Sequence, residues 1–208
     1  MKGLKTLLLL ILLAPVVSQA QQIVFSELTR EDGRDMNFDI IGRVNKNILV
    51  FKNLRQRYTL NVYTDSMILK DKIELEFIPA KAFNVEYVAY PDFFYLIYQH
   101  QKKGIVHCMA AKVDGEGKAI GDPVELDTTS IGFMGDSKIY STIFSEDKKK
   151  IMIFKIQHKD EKLNFTNILY DNNLQLIKRS RQQIPFNDRK EVLTEFAVDN
   201  DGNLAFVH

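Results

Sequence analysis

Tryptophan is missing from this chain, cysteine occurs once, and among 208 residues there are only 5 prolines and 10 glycines. The single thiol, Cys108, excludes an internal disulfide. Within the apolar run "GIVHCMAA" it reads as a buried, inert sulfur rather than a reactive one. No Pro/Ser-rich linker interrupts the chain, so the sequence reads as one domain, long enough to bury a sizeable core. Neither sign of charge dominates, with 28 Lys and Arg against 27 Asp and Glu. Such a balance offers no electrostatic footprint for nucleic acid and none for an anionic membrane surface.

Long hydrophobic runs are equally scarce, and the one present lies at the start. Lys2 and Lys5 precede an apolar stretch from Thr6 to Val17, and Ser18-Gln19-Ala20 supplies the small residues a signal peptidase needs. The stretch is too short for a transmembrane helix, and no cysteine follows it to carry a lipid anchor. Residues 1–20 therefore read as a signal peptide cut after Ala20, and the mature chain as periplasmic or secreted. Without Lys2 and Lys5 the 28 basic residues become 26 against 27 acidic ones.

What the mature chain does have is short runs of Val, Ile, Phe and Tyr between polar turn clusters, with no sustained helical period. They include "NILVF", "YTLNVY", "FFYLIYQH", "IMIFKIQ" and "LNFTNILY". One kind of polar turn ends at Asn47, Asp92, Lys150 and Asn203, and a second carries Asp65, Asp114 and Asp171. Both recur at about fifty residues, in alternation, which is the length of a four-stranded propeller blade. The expected fold is an all-β propeller of four-stranded antiparallel blades, at about 36–81, 83–129, 137–188 and a partial 191–208. Residues 21–35 form a lead-in with an N-terminal strand, "QIVFSEL". On this reading the chain is an incomplete arc of about three and a half blades, expected to continue in a longer natural chain. Expressed alone, it self-associates through open blade faces.

"STIFSEDKKKIMIF" resembles the first hairpin of the WD40-like repeats of exported bacterial propellers, whose pattern is roughly F-S-P-D-G-K before an apolar strand. "FAVDNDGNLAFV" has a similar D-x-D-G-N turn. The resemblance covers these hairpins alone. It lacks the Pro and Gly of the pattern in the third blade, the Trp-Asp pair of eukaryotic WD40 blades and the paired glycines of kelch repeats. It implies a propeller and no particular activity. Lys148 to Lys150 occupy the slot filled elsewhere by Asn45 to Asn47, by Pro91-Asp92 and by Asp199 to Asn203. Since positive charge is not common to that slot, the three lysines read as a solvated hairpin tip.

Motifs that carry chemistry are few. A two-residue turn at Lys102-Lys103 would pair Tyr98 with His107 and set His100 one diagonal step from His107. Cys108 then points to the other face and no acid is close in sequence, so no metal site is expected. "DNDGN" lacks the twelfth-position glutamate of a calcium loop and reads as a turn. "GFMGDS" is not a nucleophile elbow, Asp160-Glu161 is a solvated loop, and the Asn164 sequon falls in a strand. Tyr87, Tyr90, Phe93, Phe94, Tyr95 and Tyr98 read as packing between blades rather than a sugar platform. No cofactor is expected.

One asymmetry points to a surface. Loops joining second to third strands, and fourth strands to the next first strand, share one rim of a propeller. Here they hold Arg55, Arg57, Lys102, Lys103, Lys159, Lys162, Arg189 and Lys190. The opposite rim holds Asp65, Asp92, Asp114, Asp171, Asp199 and Asp201, with Lys148 to Lys150. The expectation is a non-enzymatic binding or scaffolding protein whose rim residues Arg55, Arg57, Lys102, Lys103, Lys159 and Arg189 meet an anionic protein surface. The alternative is a propeller hydrolase or lyase using Asp39, Glu86 and Glu195 from the innermost strands of a central channel.

Overall fold

Two-residue alternation in the apolar runs becomes two packed faces in the three-dimensional structure. In "IMIF", Ile151 and Ile153 point to one side and Met152 to the other, and all three are buried. The computed structural model of the chain describes Ile23 and residues 36–131, 139–159, 161–187 and 191–207. The expected signal peptide at 1–20, nearly all of "QIVFSEL", "GFMGDS", Arg189, Lys190 and His208 lie outside these residues.

The described chain is all-β. Strands β1 (Met36–Val44), β2 (Asn47–Leu54), β3 (Arg57–Tyr63) and β4 (Leu69–Glu74) form one antiparallel sheet in chain order. A second sheet holds β5 (Phe83–Ala89), β6 (Phe93–Lys102), β7 (Ile105–Asp114) and β8 (Val124–Ser130). The third holds β9 (Tyr140–Phe144), β10 (Lys150–Lys159), β11 (Lys162–Asp171) and β12 (Leu176–Pro185), and β13 (Thr194–Val198) with β14 (Leu204–Val207) forms a hairpin. No helix among the described residues is long and apolar enough to cross a membrane.

The core lies between sheets. Leu49, Phe51, Leu60 and Val62 meet Phe94, Leu96, Tyr98 and Val113 in one layer. The other face of the second sheet, with Tyr95, Ile97 and Cys108, meets Tyr140, Ile151, Ile153 and Ile168. Met152 and Leu169 then meet Val198. Each fully buried Leu, Ile or Phe contributes roughly 1.5–3 kcal/mol, so the apolar character of both faces follows from being sandwiched. First strands approach one another, β1 against β5 and β9 against β13. The order is propeller-like, without closure into a ring among the described residues.

One hairpin turn recurs five times, beginning at Thr64, Asp114, Ser145, Asp171 and Asp199. In each, the N–H of the fourth residue donates to the carbonyl of the first, at 2.9–3.1 Å. The fourth residue is left-handed: Met67 (φ 58°), Gly117 (79°), Lys148 (56°), Leu174 (59°) and Gly202 (91°). In four of them this matches a three-residue hairpin loop whose last residue forms a G1 bulge, while the turn at Ser145 is one residue longer and closes with Ser145 N–H donating to Lys150 O at 3.0 Å. A side-chain oxygen on the first residue completes the turn. Asp114 Oδ1 accepts from the N–H groups of Glu116 and Lys118, Asp171 Oδ1 from Asn173 and Gln175, and Asp199 Oδ1 from Asp201 and Asn203. In the first sheet Thr64 Oγ1 takes this part by accepting from Ile68 N–H. Asp65, expected to match Asp114 and Asp171, sits one residue later and pairs with Arg43 instead. "DNDGN" is this same turn, its carboxylate occupied by backbone N–H groups and by the Asn203 amide.

Only two of the five left-handed positions are glycine, and an L residue there is strained by roughly 1–2 kcal/mol. Met67 is half-buried in an otherwise exposed loop, so Met67→Gly should stabilise the protein by about 0.5–1 kcal/mol, after the added freedom of the unfolded chain is counted. A urea titration showing no rise in midpoint would contradict the strain assigned to this position.

Candidate binding rim

The turns joining second to third strands are tight. Arg55 and Gln56 both have positive φ (52° and 66°), as do Lys103 and Gly104 (52° and 75°), and Glu161 follows at 55°. Positive φ at both central residues is the signature of a two-residue hairpin whose twist matches the strands. The loops leaving each fourth strand dock on the same ends: Leu75 N–H donates to Tyr58 O at 2.9 Å, Ile131 N–H to Gly104 O at 2.8 Å and Phe186 N–H to Glu161 O at 2.9 Å. These contacts define one rim.

Arg55 and Arg57 flank the first tight turn, Lys102 and Lys103 the second, and Lys159 and Lys162 the third. The register pairs Leu54 with Arg57, Lys102 with Ile105 and Lys159 with Lys162, so the turns are equivalent in successive sheets, with Arg55 in the place of Lys103 and Lys102 in that of Lys159. Arg55, Lys102 and Lys103 are exposed. Arg57 is committed elsewhere. Its guanidinium donates to both Glu74 oxygens, at 3.0 and 3.2 Å, which raises the Arg57 pKa and lowers that of Glu74. A shallow groove of about 480 Å³ lies here, lined by Arg55, Arg57, Tyr58, Glu74, Glu76 and Ile78 among others. Arg189 and Lys190 lie outside the described residues.

The opposite rim is stitched together. Asn45 N–H donates to Pro91 O at 2.6 Å, Tyr90 OH to Lys148 O at 2.8 Å, and Asp147 N–H to Asn200 Oδ1 at 3.2 Å. Within the triple lysine, Lys148 Nζ donates to Ala89 O at 3.0 Å, Lys149 pairs with Asp147 at 3.5 Å, and Lys150 opens β10. Lys148 ties the hairpin tip to its neighbour, while Lys149 pairs within its own turn.

Between the second and third sheets the structure assembles a polar network that the sequence reading did not anticipate. Asp127 Oδ2 accepts from Lys155 Nζ at 2.8 Å and from Tyr140 OH at 2.9 Å, while Oδ1 accepts from Arg179 at 2.9 Å. Thr129 Oγ1 lies 2.7 Å from Lys155 Nζ and 2.6 Å from Tyr140 OH. The Asp127 and Lys155 side chains are only 9% and 12% exposed. Burial pushes the Asp127 carboxyl up, but hydrogen bonds from Lys155, Tyr140 and Arg179 outweigh it, and its pKa falls below the ordinary value. With its donors and acceptors mutually engaged, the network is a staple between sheets, and Lys155 inside "IMIFKI" was its sequence signal. Nearby, burial first, then Asp127 and Glu86, push the Cys108 thiol well up. It is inert.

The aromatic cluster divides. Phe94, Tyr95 and Tyr98 are buried, and Tyr90 stacks on Phe93 with centroids 4.7 Å apart. Of the channel acids, Asp39 and Glu195 are exposed, and Glu86 accepts from Asn84 at 3.1 Å.

The histidines are corrected by register. The tight turn is Lys103-Gly104, so Tyr98 pairs with Met109, and His100 pairs directly with His107. An acid is present too, since His107 Nδ1 lies 2.6 Å from Glu125 Oε2 on β8. Against known proteins, no family model matches this chain, and no curated protein matches it in sequence.

Proposed function

We propose that this protein is an exported, non-enzymatic binding or scaffolding β-propeller, whose rim bearing Arg55, Lys102 and Lys103 receives an anionic protein surface. The observation that carries this reading is the recurrence of exposed basic side chains at equivalent tight turns of successive sheets. Exposed cations held on tight two-residue turns act chiefly through steering and orientation. Export rests on the leader-like residues 1–20. The similarity of "STIFSEDKKKIMIF" to exported WD40-like repeats points the same way.

The test is charge reversal. A fluorescent poly-glutamate peptide should bind at low salt and weaken as ionic strength rises. The Arg55→Glu/Lys102→Glu/Lys103→Glu variant should lose on the order of tenfold in affinity, while Lys149→Glu on the opposite rim changes little. Equal binding by the triple variant and the parent would sink the rim as the docking surface.

A further inference from the structure

His100 and His107 face each other across β6 and β7, their rings 5.0 Å apart and within 11° of parallel. Parallel imidazoles on paired strands present their edges side by side. Glu125, on β8, holds His107 through Nδ1. When that nitrogen is the donor, the other keeps its lone pair, the arrangement found around metal-bound histidine. His100 Nδ1 is buried and has no hydrogen-bond partner, a state that native interiors seldom tolerate without a reason.

We propose that His100 and His107 form a two-imidazole site for a divalent transition-metal ion, with Glu125 as the outer carboxylate that orients His107. Metal–nitrogen distances of about 2.0–2.1 Å require the two ring edges to lean together, a side-chain rotation rather than a backbone movement. Among the described residues no group of three or more His, Cys, Asp or Glu side chains is arranged to hold an ion, so water fills the remaining positions. A site with two protein ligands selects weakly among metals and follows the usual order, with Cu²⁺ above Zn²⁺.

Calorimetric titration of the purified protein with ZnCl₂ tests the site. One ion per chain should bind at neutral pH. His100→Gln and His107→Gln should each weaken binding at least tenfold, Glu125→Gln should weaken it about tenfold, and His158→Gln should leave it unchanged. A measurement on the unmodified protein guards against misfolded variants: Zn²⁺ should shift the ring resonances of His100 and His107 and spare those of His158. Absence of one-to-one binding, undiminished affinity in both histidine variants, or unmoved His100 and His107 resonances would each overturn the proposal.

Discussion

Asp127→Ala should lower the stability of the protein by about 3 kcal/mol, the lower part of the range for breaking a buried ion pair. The substitution removes the carboxylate shared by Lys155, Tyr140 and Arg179. It leaves Lys155, only 12% exposed, as a desolvated cation without its counter-charge. Thr129 Oγ1 and Thr128 O remain as acceptors, and Arg179 can turn to solvent, so the loss stays near the lower bound. Urea titration should report the change, and Lys155→Met in the Asp127→Ala background should restore part of it by removing the stranded charge. A single-variant loss below about 1 kcal/mol would show that Lys155 reaches solvent or other acceptors and is not stranded, against this prediction.

The same carboxylate predicts a pH dependence. Its folded pKa lies below the ordinary 3.8, so its contribution to stability is present above the unfolded pKa and is lost as pH falls through the folded value. Acid titration should therefore destabilise the parent more steeply than Asp127→Asn. Parallel curves for the two proteins would contradict this.

Gln99→Leu should cost about 3 kcal/mol, because it strands backbone groups inside the fold. Gln99 is 2% exposed. Its Oε1 accepts from Ile139 N–H at 3.2 Å and Tyr140 N–H at 3.0 Å, and its Nε2 donates to Tyr140 O at 2.8 Å. One amide on the second sheet thus holds the entry to the third. Asn84 Nδ2, 3.4 Å from the same carbonyl, retains that acceptor's partner, but the two N–H groups are left with none. Gln99→Glu keeps acceptors for them while turning a donor into an acceptor against Tyr140 O, so it should destabilise too. Hydrogen exchange offers a local readout: the Ile139 and Tyr140 amides should lose protection before the rest of β9. Unchanged protection there in Gln99→Leu would refute the clamp.

Much of this architecture was legible in the residues. Strands such as "IMIF" and "LNFTNILY" announced themselves through β-branched and aromatic runs, and the Asp-containing turns through side chains that cap their own backbone. Both signals act within a few residues. The marker at Asp65 misled by one position because Thr64 supplies the same side-chain acceptor, and a hydroxyl is a quieter signal than a carboxylate. At the second tight turn, Lys103-Gly104 prevails over Lys102-Lys103 because both central residues need positive φ, which glycine adopts freely. That single step of register brought His100 face to face with His107.

The sequence by itself determined the strand-rich composition, the places where the chain reverses, and the spacing that groups its strands by four. Tertiary structure alone decided which side chains meet between sheets: Gln99 with the backbone of Ile139 and Tyr140, Lys155 with Asp127, Lys148 with Ala89, and Glu125 with His107. Turn chemistry and pleat are read over two to five neighbouring residues, whereas these pairs depend on register and on how one twisted sheet lies upon the next. Those are set by the packing of whole faces, so no short stretch of the chain encodes them.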